Sequence, residues 1–378
     1  MQYLWLCALA IGCGSGSSSP IGPDARPRLD ANPDAVRGHD AAPPVHMVAY
    51  VGGNGATIDR YDIATNGGLT PAGSTSSFAP RPSFLALTAT ALYAVSEANS
   101  RVGAYALDPV TGALTLINDA SSGGTGPAYL GVDRSGAYVL VANYGDGSVA
   151  SLAIRPDGGV AAPRTLAAGA HAHMIVTDPS NRYAFVPCLG ADYVAQYAFD
   201  ATTGRLTPNA APVLTTAAGA GPRHLAFAPD GHHAYLINET NSTISALGLD
   251  GSTGRLSELQ TVSTRAAGAT GGNTGAEVWV HPSGGFAYAS NRGDNTIAVF
   301  AIAGDGKLTA VGQAPTLGTT PRDFTLDPTG TWLYVANQDS NTLVVFAIDR
   351  QTGMPVPIAA PVTATLPTFI GVTGLARD

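Results

Sequence analysis

A small set of charged and titratable side chains recurs at equivalent positions of a repeated sequence pattern. These candidates are His173, Arg223, Glu239, Glu277, Arg292 and Arg322. A histidine titrates near neutral pH and suits proton transfer. Guanidinium groups bind anions and stabilise negative charge that develops during a reaction. A carboxylate can orient the imidazole or act as a base itself, so together these groups indicate proton transfer beside an anionic substrate.

The elements that must position these residues are short strands. An apolar alternation that ends in a glycine turn recurs seven times at intervals of roughly 45–52 residues, for example YAFDATTGRLT at 197–207 and LGLDGSTGRLS at 247–257. Between these copies lies a second segment with period-two alternation around an Asp-Pro-x-Gly or Pro-Asp-Gly turn, which is typical of a β-hairpin. Each unit therefore predicts four antiparallel strands, the composition of one propeller blade. The sequence predicts an all-β, seven-bladed β-propeller.

The count of hairpins also predicts how the ring closes. Six of the second hairpins are complete, whereas the seventh is split between residues 47–51 and residues 367–372. Pairing of these N- and C-terminal strands would complete a seventh blade and remove two open sheet edges.

Alignment of the hairpins places the candidate residues in two columns. His173, Arg223 and Arg322 follow a position usually held by proline, and Glu239 and Arg292 lie at the far end of the partner strand. Residues equidistant from a hairpin turn are cross-strand neighbours. This rule predicts that Arg223 faces Glu239 and that Glu277 faces Arg292, with all of them at one mouth of the central channel.

Two interpretations of these pairs stay open at this point. The arginines and glutamates could be salt bridges that tie blades together, each contributing about 0–1 kcal/mol if exposed. They could instead form a functional site. His173 favours the site, because nothing at the start of a strand requires an imidazole there.

Composition excludes several other classes of protein. With 45% hydrophobic and 12% charged residues, most of the chain is not disordered. A net charge of −8 and a pI near 5.4 argue against nucleic acid as a partner. No haem-attachment motif, phosphate loop or convincing metal-ligand spacing occurs in the sequence, so we expect no cofactor and no metal. We expect a monomer.

The N-terminal region has a different character. Residues 4–12 form an apolar run too short to span a membrane, and AIGC at 10–13 resembles a bacterial lipobox. We expect a signal peptide over residues 1–12, a lipid on Cys13, a Gly/Ser/Pro/Asp-rich tether over residues 13–45 and the propeller over residues 46–378. The expected location is the periplasm or cell surface, with the lipid anchoring the chain to a membrane. An ordinary signal peptide or a misassigned start is the alternative interpretation.

Several segments resemble one known family in order along the chain. They are HAHM at 171–174, GPRHLAFAPDG at 221–231, LINE at 236–239, AEV at 276–278, ASNRG at 289–293 and YVANQ at 334–338. These resemble the seven-bladed propeller lactonases, which include bacterial 6-phosphogluconolactonases and fungal carboxymuconate lactonising enzymes. By motif, the resemblance implies a site of His173, Glu239, Arg223 and Arg292. We expect His173 and Glu239 to be catalytic, with Glu239 orienting His173 or acting as the base, and Arg223 and Arg292 to bind the substrate.

The resemblance implies hydrolysis of a small acidic or sugar-derived lactone. Glu277 and Arg322 would add to the substrate-binding wall, and the same residues could run a muconate cycloisomerisation. A third hypothesis is a propeller without catalysis that binds a wall polymer or a protein at the cell surface. A binder of that kind would not need a histidine, a glutamate and two arginines at one mouth of the channel.

Overall fold

The computed structural model describes residues 46–376, which form seven antiparallel sheets. The N-terminal predictions for residues 1–12, for the tether at 13–45 and for Cys13 lie outside the described residues. Within 46–376 the structure is all-β apart from one short 3₁₀ helix, Leu189–Ala191. No described helix has the length and apolar character needed to cross a bilayer.

The strands follow the predicted order, four to a blade, with one additional short strand in blade 7. Blade 1 contains β1 (His46–Gly53), β2 (Thr57–Ile63), β3 (Leu69–Ser76) and the last strand of the chain, β29 (Pro367–Leu375). Blade 2 contains β4 (Leu85–Leu87), β5 (Ala91–Ser96), β6 (Arg101–Leu107) and β7 (Leu114–Ser121). Blade 3 contains β8 (Pro127–Val132), β9 (Tyr138–Asn143), β10 (Ser148–Ile154) and β11 (Val160–Ala167). Blade 4 contains β12 (Val176–Thr177), β13 (Tyr183–Cys188), β14 (Tyr193–Asp200) and β15 (Arg205–Thr215).

Blade 5 contains β16 (Pro222–Phe227), β17 (His233–Asn238), β18 (Thr243–Asp250) and β19 (Arg255–Ser263). Blade 6 contains β20 (Thr274–Val280), β21 (Phe286–Arg292), β22 (Thr296–Ile302) and β23 (Leu308–Pro315). Blade 7 contains β24 (Pro321–Leu326), β25 (Trp332–Asn337), β26 (Thr342–Ile348) and β27 (Pro355–Pro357), and β28 (Val362–Thr363) also pairs with β26. The prediction of a seven-bladed propeller is confirmed.

The two ends of the described chain close the ring as predicted. β1 pairs with β29 in antiparallel register, with Ala49 opposite Val372 and Val51 opposite Ile370. The last strand is therefore the innermost strand of blade 1, and β1 is the second. This pairing occupies the edge of β1 that β2 leaves open, so blade 1 has four paired strands like the other blades.

Hydrogen bonds between blades explain why the repeat carries a glycine turn. The buried hydroxyl of Tyr235 in blade 5 donates to the carbonyl of Gly306 in blade 6 at 3.0 Å, and Tyr288 donates to Gly353 of blade 7 at 3.0 Å. Both glycines have positive φ, 79° and 72°, which other residues adopt only with strain. The recurring tyrosine and the recurring glycine thus join blade 5 to blade 6 and blade 6 to blade 7.

The apolar cores lie between neighbouring blades. The two middle strands of a blade are buried on both faces, as in β17 and β25, whereas the outermost strands, such as β15, expose alternate residues. Each blade is covered by a blade on either side, so its middle strands have no solvent face. This packing leaves only the innermost strands to line the central channel.

Candidate active site

A cavity of about 240 Å³ opens among the innermost strands. All six candidate side chains of the sequence analysis lie in its wall: His173, Arg223, Glu239, Glu277, Arg292 and Arg322. They come from four consecutive blades, blades 4 to 7. The cavity is smaller than the roughly 300–1,000 Å³ typical of pockets for drug-sized ligands, so it suits a small molecule.

β-Bulges in the innermost strands position these side chains. In β16, Pro222 is opposite Asn238 and His224 is opposite Ile237, which leaves Arg223 as the extra residue. A bulge places two residues of one strand against a single residue of its partner. The irregularity recurs in β20 and in β24, so consecutive residues there can both reach the cavity wall.

The bulges make the predicted cross-strand pairs wrong as register partners. The backbone N–H of Glu239 donates to the carbonyl of Gly221, so Glu239 does not face Arg223 across the ladder. Arg292 lies opposite Thr274 rather than opposite Glu277. Simple counting from the hairpin turn fails because each bulge adds one residue to the inner strand.

Glu239 nevertheless contacts Arg223, and it contacts Arg292 as well. Its Oε2 lies 3.0 Å from Nε of Arg223, and its Oε1 lies 2.9 Å from Nη2 of Arg292. The guanidiniums also donate to the carbonyls of Ala276 and Gly275, at 2.6 and 3.0 Å. One carboxylate therefore holds two arginines from neighbouring blades, and the backbone of blade 6 fixes their orientation.

The charges of this cluster perturb one another. Burial opposes ionisation of Glu239, but Arg223 and Arg292 outweigh burial and hold the pKa of Glu239 below its ordinary value. Burial, followed by the charge of Arg292, lowers the pKa of Arg223 to about 10. At neutral pH Glu239 and Arg223 are both charged, which makes Glu239 a weak base and a strong partner for the arginine.

Arg322 differs from the other two cavity arginines because its guanidinium is unpaired. Across residues 46–376, no carboxylate lies within 4.0 Å of this guanidinium, and the guanidinium donates no hydrogen bond. Burial, and then the charge of Arg292, lowers its pKa. A partly buried cation without a partner in the cavity wall favours binding of an anionic group there.

His173 lies three residues before β12, the inner strand of blade 4, and its imidazole is buried. Its backbone N–H donates to the carbonyl of Pro187 at 2.9 Å. Its Nδ1 lies 3.2 Å from Nε2 of His224, and no carboxylate is bonded to the ring. The hypothesis that Glu239 orients His173 is therefore wrong for this structure, because the orienting contact comes from His224.

His224 and Asp323 are residues of the site that the sequence columns missed. His224 is 2% exposed, and its Nδ1 lies 2.7 Å from Oε2 of Glu277. Asp323 is 3% exposed, is hydrogen-bonded to Glu277, and accepts from the N–H of Ile370 at 2.8 Å. These three side chains form a continuous buried row behind His173.

A signal for this row exists in the sequence. The column one residue beyond the first column reads Phe84, Tyr129, Met174, His224, Glu277, Asp323 and Phe369. Four blades carry apolar residues there, and three consecutive blades carry titratable ones. The His224 ring packs edge-on against Phe84 and Tyr129, with centroids 5.8 and 5.6 Å apart, so this layer forms the floor of the cavity.

Burial and charge keep both histidines neutral near pH 7. Burial, and after it the charge of Arg223, places the pKa of His173 well below its ordinary value, and the same two causes act on His224. A neutral histidine has one bare ring nitrogen and can accept a proton. No group of side chains that could hold a metal ion is found in the described part of the chain.

Comparisons with known proteins agree with this geometry. The family model described as "Lactonase, 7-bladed beta-propeller" matches residues 45–372. A 6-phosphogluconolactonase of Pectobacterium carotovorum is 35% identical over 227 residues, which are 60% of this chain and 68% of that protein.

Solved structures give the same result at the level of the whole fold. A periplasmic gluconolactonase of Pseudomonas aeruginosa superposes with a TM-score of 0.82 at 30% identity, covering 87% of this chain and 99% of that one. A structure described as a putative 6-phosphogluconolactonase of Bacteroides fragilis gives a TM-score of 0.80 at 28% identity, covering 88% and 100%.

Proposed function

Because the chain belongs to the seven-bladed β-propeller lactonase family, we propose that it hydrolyses a small, negatively charged lactone of the sugar-acid type in the cavity between blades 4 and 7. The observation that carries this proposal is that one cavity wall contains both the neutral imidazole of His173 and the unpaired guanidinium of Arg322. The histidine supplies a base, and the arginine supplies a site for an anion.

The reaction follows from these groups. His173 takes a proton from a water molecule, whose oxygen forms a bond to the lactone carbonyl carbon. Arg292 stabilises the resulting oxyanion through charge and N–H donation. The ring C–O bond then breaks, and the imidazolium of His173 returns its proton to the leaving oxygen. The product is an open hydroxy acid, and the histidine is neutral again.

Glu239 has a positioning role in this proposal. Its carboxylate is committed to Arg223 and Arg292 at 3.0 and 2.9 Å. Its lowered pKa makes it a poor proton acceptor. It therefore organises the arginines, while His173 transfers the proton.

The substrate class follows from the charge and size of the cavity. Arg322 has no carboxylate partner, so a phosphate or carboxylate substituent of the substrate would fill that place. Relatives of the chain are named as 6-phosphogluconolactonase and gluconolactonase, which act on sugar-acid lactones with and without a phosphate. A small lactone with several hydroxyls fits the polar wall and the cavity of about 240 Å³.

A panel of lactones tests the proposal. Purified full-length chain is assayed by pH-stat on gluconolactone, 6-phosphogluconolactone, a uronic-acid lactone and a neutral aliphatic lactone, with His173→Ala and His232→Ala as variants. We expect the anionic sugar lactones to be hydrolysed fastest, and His173→Ala to lower kcat ~10²-fold or more. His232 is an exposed residue of an outer turn, so His232→Ala should keep full activity. If wild-type protein hydrolyses none of the lactones, the proposal is wrong.

We also propose that the protein is exported and anchored by a lipid on Cys13. The support is the lipobox-like AIGC at residues 10–13, together with the periplasmic location stated for the Pseudomonas relative. Metabolic labelling with palmitate should label wild-type protein and leave Cys13→Ser unlabelled. Equal labelling of the two, or an intact Met1 in the mature protein, contradicts this proposal.

A further inference from the structure

We propose that the buried row His224–Glu277–Asp323 positions His173 by fixing its tautomer, with the proton on Nδ1 and a bare Nε2 for the cavity. The row is thus a set of positioning residues, and His173 is the group that meets the substrate. The consequence for turnover rests on the lactone hydrolysis proposed above, whereas the tautomer itself can be observed without any substrate.

The direction of the hydrogen bonds follows from the Glu277 end of the row. Oε1 of Glu277 accepts from the backbone N–H of Val278 at 2.9 Å, and Oε2 lies 2.7 Å from Nδ1 of His224. An ionised carboxylate only accepts, so Nδ1 of His224 must carry its proton. In a neutral imidazole the other nitrogen, Nε2, is then an acceptor.

The same reasoning assigns the proton of His173. Nε2 of His224 faces Nδ1 of His173 at 3.2 Å, so this contact is a hydrogen bond only if Nδ1 of His173 donates. Nε2 of His173 is then the bare nitrogen. This Nε2 has no hydrogen-bond partner in the described structure. It is also not fully enclosed by protein atoms, which agrees with its exposure to the cavity.

Asp323 completes the row by donating to Glu277. Burial, and then the negative charge of Glu277, raises the pKa of Asp323 well above its ordinary value, so the two carboxylates share one proton. The backbone N–H of Ile370 fixes the other oxygen of Asp323 at 2.8 Å. Asp323 thus keeps Glu277 ionised and correctly aimed at His224.

The charges that surround the histidine pair favour this neutral arrangement. Those that act on His173 and His224 are Arg223, Arg292, Arg322 and Glu239 from the cavity wall, and Glu277 and Asp323 from the row. Three guanidiniums disfavour an imidazolium in the resting state. The single negative charge of Glu277 lies behind His224, where it can stabilise the imidazolium that forms transiently on His173 during the reaction.

The placement of the row argues against chance. Titratable residues occupy this floor position in three consecutive blades, while the other four blades have Phe84, Tyr129, Met174 and Phe369 there. A buried polar group without partners is costly, and an apolar residue would fill the same layer at no such cost. Each member of the row is buried and hydrogen-bonded, as expected of an arrangement kept for orientation.

Nuclear magnetic resonance of the full-length chain labelled with ¹⁵N-histidine tests the tautomer directly. Two-bond ¹H–¹⁵N correlations distinguish Nδ1–H from Nε2–H, and His173→Ala and His224→Phe assign the signals. We expect the Nδ1–H form for both rings at pH 7. An Nε2–H form of His173 in the wild type overturns the proposal, whatever the activity of the protein.

Kinetics of matched variants test the consequence. His224→Phe keeps a ring against Phe84 and Tyr129 but removes both nitrogens, so we expect kcat to fall at least ~10-fold, with KM changed less than about threefold. Asp323→Leu should also lower kcat. Asp323→Asn should keep most of the wild-type kcat, because an amide can still donate to Glu277 and accept from Ile370. In each variant the fraction of Nδ1–H His173 should follow kcat.

The outcomes separate this inference from the proposed function. If wild-type protein hydrolyses no lactone but His173 is in the Nδ1–H form, lactone hydrolysis fails and the positioning row stands. If lactones are hydrolysed and His224→Phe retains wild-type kcat, the positioning role is wrong. If His224→Phe does not fold, the wild-type tautomer and the comparison of Asp323→Asn with Asp323→Leu still decide the question.

Discussion

Glu239→Gln should destabilise the protein strongly, because it removes a carboxylate that contacts two cavity arginines. The side chain of Arg223 is 4% exposed and lies 3.0 Å from Glu239, and that of Arg292 is 14% exposed and lies 2.9 Å away. Removing one partner of a buried ion pair leaves an uncompensated charge and costs about 3–5 kcal/mol. Because Glu239 itself is 23% exposed to the cavity, we expect a cost near the lower limit, about 3 kcal/mol.

Urea unfolding at pH 7 measures this cost, and a double-mutant cycle with Arg223→Met assigns it to the pair. We expect a coupling energy of about 2 kcal/mol, because loss of the arginine charge relieves the loss of its partner. The control is Asp157→Asn, whose exposed pair with Arg155 should change stability little. A Glu239→Gln protein within about 1 kcal/mol of wild type, with coupling below about 0.5 kcal/mol, would refute the reasoning.

The pH dependence of the same variant gives an independent check. The folded-state pKa of Glu239 is lowered, so its contribution to stability is present above its unfolded pKa and is lost as pH falls through the folded pKa. The unfolded pKa of a glutamate is about 4.3. The difference in stability between wild type and Glu239→Gln should therefore be constant from pH 6 to 7 and shrink below about pH 4.

Three further predictions follow from the same structure. Arg322→Met should raise KM for anionic lactones ~10-fold or more and leave KM for neutral lactones nearly unchanged. Stability should change little, because the guanidinium has no protein partner to lose. Steady-state kinetics and urea unfolding measure the two effects, and an equal rise in KM for neutral lactones contradicts the role of Arg322. Deletion of residues 367–378 removes β29, the inner strand of blade 1, and exposes the edge of β1. The cooperative unfolding transition, monitored by circular dichroism, should then be lost. A truncated chain that unfolds like wild type disproves ring closure as the basis of stability. Burial lowers the folded-state pKa of His173 and His224, so stability should be constant above about pH 6.5 and fall below that pH by up to about 1.4 kcal/mol per pH unit for each histidine. Urea unfolding from pH 7.5 to 5 measures the slope. A flat profile would mean that the two histidines are not buried in the neutral form.

The fold could be predicted from the sequence because its signals are local and repeated. Each copy of the unit carries its own strand alternation and its own glycine turn, and seven copies give the pattern seven independent tests. The closure by residues 47–51 and 367–372 followed from the one hairpin that was split. Selection of His173, Arg223 and Arg322 needed only the alignment of equivalent positions, which bulges do not disturb when every copy is counted from the same proline column.

The partners of these residues could not be predicted by the same means. Counting from a hairpin turn assumes an uninterrupted ladder, and the bulge at Arg223 adds a residue that the local sequence does not reveal. Glu277 was therefore expected beside Arg292, whereas it is bonded to His224 of the preceding blade. Contacts between blades depend on how neighbouring inner strands converge, which is a property of the ring and not of any one repeat.

The polar groups of the cavity are unequally distributed around the channel, and this asymmetry fixes how a substrate must bind. Blades 4 to 7 supply the histidines, the three arginines and the buried carboxylates, while blades 1 to 3 contribute Ser83, Phe84, Glu97, Ala128, Tyr144 and Thr368. A lactone carbonyl can meet both a base and guanidinium donors only if it points toward blades 4 to 7. The rest of such a substrate would then lie against blades 1 to 3, whose wall residues are uncharged apart from Glu97, which is paired with Arg81. The charged side of the cavity would therefore set the orientation of the substrate.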